Sequence, residues 1–382
     1  MKASYKGHLN IIKLFIDQGA PLNDKDNYGY TALHEAARGG HVDVVKELLD
    51  RGAPLSVKDN FGYPALHRAA MGGHIDVVKE LLDRGAPVND KNQDGYTALH
   101  KAAIEGHVDV VKELLDRGAP LNDKDNVGYT ALHEAARGGH VDVVKELLDR
   151  GAPVNDKNQG GYTALHKAAI EGHVDVVKEL LDRGANLSAK ENSGETPLMK
   201  ASNKGHLNIV KLFIDRKAPL NDKDNYGYTA LHEAARGGHV DVVKELLDRG
   251  APLNDNDKDG YTALHKAARG GHVDVVKELL DRGAPLNDKN KHGYTALHKA
   301  AWGGHVDVVK ELLDRGADIA AKGNDGWTPL TFASRFGYLD TVILLVNGGA
   351  PVNARTSSGR TALYMARNED IKNYLKSKGG VE

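Results

Sequence analysis

The chain has 382 residues, and its 51 basic and 53 acidic side chains leave too little net charge to suggest a nucleic-acid or membrane partner. The absence of cysteine excludes disulfides, thiolate zinc sites and thiol chemistry, and it fits an intracellular, cytoplasmic setting. No segment approaches the roughly 18 apolar residues that a membrane-spanning helix needs.

From Gly29 to Gly359 a glycine recurs at every thirty-third residue, and no Pro- or Ser-rich linker interrupts the pattern. A unit this short cannot bury its own apolar face, so each copy borrows a wall from its neighbours and the chain becomes a stack. In chain order, residues 1–23 read as an incomplete first repeat. Met1 aligns with Met199, which starts the chain inside a first helix and leads us to expect a fragment of a longer reading frame or a frayed end. The apolar run 9–16 recurs as 207–214, so it reads as a repeat helix and not as the core of a signal peptide.

Residues 24–56 represent the full unit. Asp24 to Tyr30 form a polar, hairpin-like turn in which Gly29 supplies positive φ. Thr31 is the expected N-cap of a short helix, 32–38, whose small alanines admit a close neighbour and which Gly39-Gly40 ends. A second helix over 42–51 carries Val44, Val45, Leu48 and Leu49 on its apolar stripe. On its polar side, Lys46 with Asp50 and Glu47 with Arg51 are expected i,i+4 pairs worth ~0.2–0.5 kcal/mol each. Gly52 closes this helix and Pro54 stiffens the exit.

Further full repeats run to residue 355. The copy at 191–223 departs most, with Glu195, Met199, Ser202 and Lys217 at places where most copies have Tyr, His, Ala and Gly. A left-handed Lys217 costs roughly 1–2 kcal/mol, which predicts a weak point there. Residues 356–382 read as a shortened C-terminal capping repeat, with Lys372, Asn373, Lys376 and Lys378 on its polar outer face.

Turn, Thr-Ala-Leu-His, short helix, Gly-His, second helix and Gly-Ala together resemble the ankyrin repeat over essentially all 382 residues. The family's tetrapeptide is Thr-Pro-Leu-His; here the proline appears only as Pro197 and Pro329, and alanine holds the place in most copies. The resemblance implies a single all-α array over 1–382, an elongated, curved solenoid of helix-turn-helix units joined by β-hairpin-like loops. Hairpins and first helices would line a concave groove, and eleven steps of ~8–10 Å would give a body on the order of 100 Å long.

It also implies a non-enzymatic scaffold that binds another protein or peptide through that groove. Residues 21–53 and 219–251 are identical, so a spacer or an engineered consensus-like array is an alternative, as is the targeting arm of a larger protein. The family's variable positions mark the candidate contacts. At the turns these include Phe61, Asp94 and Val127; after the first helix they include Arg38, Met71, Ile104, Arg137, Ile170, Arg236, Arg269 and Trp302. The residue after each ladder glycine completes the set as Tyr30, Tyr63, Tyr96, Tyr129, Tyr162, Tyr228, Tyr261, Tyr294 and Trp327. A row of phenols one repeat apart suits an extended polypeptide, and equally suits packing on the next hairpin. The near-neutral, aromatic-lined surface further predicts weak self-association.

Of nineteen histidines, eight occupy the Thr-Ala-Leu-His type motif and ten follow a glycine, a regularity that predicts hydrogen bonds to neighbouring loops. His34-Glu35-Ala36-Ala37-Arg38 misses the zinc-protease pattern because arginine holds the second ligand's place. The loop beginning at Asp255 matches the first six positions of a calcium loop but has Lys266 where a bidentate glutamate belongs. No catalytic constellation, metal site or cofactor is expected.

Overall fold

In most repeats the first helix begins in a capping box built with histidine in place of the usual acidic residue. Thr31 Oγ1 accepts from the His34 amide at 3.4 Å, and His34 Nδ1 accepts from the Thr31 amide at 3.1 Å, which satisfies two otherwise orphaned donors. The helix Ala32–Gly39 then ends at Gly40 in the left-handed region. In the next repeat Pro64 has neither hydroxyl nor N–H to offer, and His67 Nδ1 is left buried without a partner.

The computed structural model describes residues 1–382, which form 24 helices and no strand. They divide into two compact units, 1–192 and 193–382. Within the first, helices such as Ala32–Gly39, Ala65–Met71 and Ala98–Glu105 pack in succession, and their partners Val42–Asp50, Ile75–Asp83 and Val108–Asp116 form a second row. The second unit repeats the plan from Pro197–Lys204 and Leu207–Asp215 to Ala362–Met365 and Glu369–Ser377. This is the all-α solenoid of helix pairs that the resemblance implied.

Ala36 and Ala37 are fully buried, so neighbouring first helices meet backbone to backbone, while Leu33, Val44, Val45 and Leu48 fill the space between the two rows. Burial of a valine or leucine contributes ~1.5–3 kcal/mol, which makes this interior the main source of stability.

In the turns, Asp26 accepts the amides of Tyr28 and Tyr30 at 2.9 Å each, and the Asp26 amide donates to the Tyr30 carbonyl. The Asn60 amide donates to the Tyr28 carbonyl at 3.0 Å and links successive turns without forming a strand. Gly29 has φ +79°, and a Cβ there would lie 2.6 Å from the Asn60 nitrogen, so the ladder glycine is required both by conformation and by the neighbouring loop.

Two expectations need correction. The second helix spans Val42–Asp50, and Arg51 follows it as the C-cap. Lys46 does not pair with Asp50: its ammonium faces Glu80 of the next repeat at 3.9 Å, and Asp50 accepts from Arg84 at 2.7 Å. Glu47 does meet Arg51, at 3.2 Å. The arginine fork engages a carboxylate on its own helix and one on the preceding helix together, a geometry that an in-helix Lys–Asp pair lacks.

Lys217 has φ +67° and is the one non-glycine residue with positive φ. At the C-terminal end, Ile371 and Leu375 are buried, Lys372 is half-exposed, and Asn373, Lys376 and Lys378 face outward. No helix is long and apolar enough to cross a membrane.

Candidate functional site

The turns and first helices of each unit present one continuous face. All eight ladder tyrosines and Trp327 are half-buried, and each tyrosine ring packs on the motif histidine of its own repeat, as Tyr63 does on His67 at 5.7 Å. One side of each ring is thus packed, and part of it stays accessible.

The residue after the motif histidine completes the arrangement. Arg68 lies over the rings of Tyr30 and Tyr63 at 4.7 and 4.6 Å, and Lys101 over Tyr63 and Tyr96 at 5.1 and 3.9 Å. Lys167 likewise bridges Tyr129 and Tyr162. In the second unit, Lys266 bridges Tyr228 and Tyr261, and Lys299 bridges Tyr261 and Tyr294. In these repeats ring and cation therefore alternate, each contact worth ~0.5–1 kcal/mol where solvent reaches it. Our sequence reading missed this position. Its signal is a charge that repeats every third copy: Glu35, Arg68, Lys101, then Glu134, Lys167, Lys200, then Glu233, Lys266, Lys299.

The charges are matched locally. Where glutamate occupies this position, the arginine three residues on pairs with it: Arg38 with Glu35 at 3.7 Å, Arg137 with Glu134 at 3.2 Å and Arg236 with Glu233 at 2.6 Å. Where the turn carries a buried aspartate, the cation binds that instead: Arg68 Nε donates to Asp59 at 2.9 Å, and Lys266 to Asp257 at 2.6 Å. Burial raises the carboxyl pKa of Glu134, and it pushes Glu233 up to about 7 against the pull of Arg236.

The remaining candidates occupy the edges of this face. Phe61 and Val127 stand exposed at turn tips, as does Asp94. Met71, Ile104, Ile170 and Trp302 are half-buried after their helices, while Arg38, Arg137, Arg236 and Arg269 are exposed. Arg269 lies over Trp302 at 4.7 Å, and Trp302 meets Phe336 edge-on at 5.8 Å. Trp327 packs on Phe332, which stands where other repeats have the cation.

The histidines tie copies together. Seven motif imidazoles donate from Nε2 to a carbonyl one turn ahead, as His34 does to Tyr63 at 2.9 Å; post-glycine ones reach back, as His74 does to Arg38 at 2.9 Å. Burial lowers His34, His100, His133 and His232, and it brings His67, His265 and His298 down to about 4, so these rings are neutral. No group of three or more metal-ligating side chains converges anywhere in the chain.

Family models described as ankyrin repeats (3 copies) match residues 1–59, 52–125, 118–191, 185–257 and 250–323, and one described as ankyrin repeats (many copies) matches 303–346. No curated protein matches the chain. With these matches laid over capped helix pairs that repeat throughout both units, the chain belongs to the ankyrin-repeat family, whose repeats are generally protein-interaction modules.

Proposed function

We propose that this protein is a non-enzymatic recognition scaffold that binds another protein, as an extended or helical segment, in a concave groove formed by the turns and first helices. The observation that carries this reading is the ladder of half-exposed tyrosine rings held in place by cations, since ordered aromatic side chains give contact area at small entropic cost. Tyr30, Tyr63, Tyr96, Tyr129 and Tyr162 would grip in the first unit, and Tyr228, Tyr261, Tyr294 and Trp327 in the second. A spacer role is the second reading, favoured by the identity of residues 21–53 with 219–251.

The experiment is an affinity pull-down with the intact array, followed by exchange of Tyr96, Ile104, Tyr129 and Arg137 for alanine. A groove binder loses affinity for the recovered partner while the fold survives at a cost of ~1–2 kcal/mol from the lost ring contacts. A spacer tolerates these changes and responds only to repeat number.

A further inference from the structure

In the second unit the local charge matching fails at one place. Lys266 is neutralised by Asp257 of its own turn, but the corresponding turn residue before Lys299 is Asn290. Asn290 is 5 % exposed, and its amide nitrogen is buried without an acceptor. Arg269 shows the same deficit, because the residue three before it is Lys266 where Arg38, Arg137 and Arg236 each have a glutamate. Tyr261 is shared by two ammonium groups, Lys266 at 4.6 Å and Lys299 at 4.7 Å. Two cations on one face, Lys299 and Arg269, thus have aromatic contacts and no carboxylate.

Burial with the repulsion of Arg269 and Lys266 lowers Lys299 to about 8, and no acidic group offsets this. An arriving carboxylate relieves that penalty. Immediately beyond lies an aromatic wall: Phe332 meets Tyr294 at 5.1 Å and stacks with Phe336, which is 48 % exposed and touches Trp302.

We propose that Lys299 and Arg269 form a notch that receives a side-chain carboxylate of an acidic polypeptide, while Trp302, Phe332 and Phe336 receive an apolar side chain of the same segment. This rests on the groove reading above and names the partner's chemistry. Successive first helices lie ~8–10 Å apart and an extended chain advances ~3.3 Å per residue, so the acidic and apolar residues stand about three positions apart. A nucleic-acid strand fits less well, because Asp259 and Asp325 stand exposed at the flanking turn tips and repel a continuous row of phosphates.

The test pans a phage-displayed library of random peptides about twelve residues long, enough to span roughly four repeats, on the full chain and on its Lys299→Gln, Arg269→Gln double variant, with thermal melting to verify that the variant folds. Enriched peptides are expected to carry Asp or Glu about three positions from an aromatic or aliphatic residue. Synthetic copies lose about tenfold in affinity for the variant, and a Glu→Gln change in the peptide causes the same loss with no further loss on the variant. Peptides without acidic residues, or bound equally by the variant, overturn the notch. If such peptides still lose affinity to Tyr96→Ala with Tyr129→Ala, the groove reading survives alone; if nothing is enriched, both fall. A single-stranded oligonucleotide that displaces the peptides at Lys299 and Arg269 also overturns the proposal.

Discussion

His265 donates from Nε2 to the main-chain carbonyl of Tyr294, 29 residues further on, at 3.0 Å. A carbonyl can only accept, so the proton sits on Nε2, and Nδ1 is left to accept the Thr262 amide at 3.2 Å. One neutral ring thus caps its own helix and fastens the next turn. Burial keeps the ring neutral, and these two hydrogen bonds select its tautomer.

Stability is expected to decline with acid through these rings. The folded-state values of His67, His265 and His298, about 4, lie below the ordinary 6.5, so the unfolded chain binds protons first. The stabilisation is intact above pH 6.5 and is lost as pH falls from there toward 4, at ~1.4 kcal/mol per pH unit and group. Urea melts across this window read the loss. An NMR titration that put the His265 ring near its ordinary value would contradict it.

Glu233 works in the opposite direction. It accepts from Asn203 at 2.8 Å and from Arg236 at 2.6 Å, yet burial, with Glu195 and Asp224 nearby, raises it from 4.5 to about 7. Its contribution is complete below pH 4.5 and disappears as pH rises through 7. Glu233→Gln is therefore expected to stabilise the chain by about 1–3 kcal/mol at pH 8 and to be neutral at pH 4. Equal effects at both pH values would refute this.

The Asp59–Arg68 pair is buried, with the Asp59 side chain fully enclosed and its other oxygen accepting the Phe61 and Tyr63 amides. Arg68→Met leaves that charge uncompensated and is expected to cost about 3–5 kcal/mol. Adding Asp59→Asn recovers most of this, since Asn92 in the next repeat caps its turn without a charge by accepting the Tyr96 amide at 2.8 Å. A double-mutant cycle by thermal melting measures the coupling, and additive losses would rule it out.

Lys217→Gly is expected to stabilise by about 1–2 kcal/mol, because the exposed lysine holds a φ of +67° that glycine adopts without strain. With Lys217 in place, amides of Leu207–Asp215 are expected to exchange faster than those of Val240–Asp248. Equal exchange in the two helices would count against a weak point.

The 33-residue glycine ladder, Thr31 before its helix and Gly40 after it, and even the strain at Lys217 were legible in the amino-acid order, because each is a property of one residue and its chain neighbours. The partners of Lys46 and Asp50 were not. In-helix and inter-repeat carboxylates both lie within reach, and the choice depends on how far apart two helices settle.

The cation row was hidden for a related reason: Arg68 meets Tyr30 across 38 residues of sequence, at 4.7 Å in space. Periodicity alone determined that copies must stack, since short amphipathic units have nowhere else to bury their apolar faces. Which tyrosine faces stay open, and which cations go without a carboxylate, only the tertiary structure decided. Those outcomes depend on lateral distances between repeats, and in each repeat the neighbours across the stack complete the site.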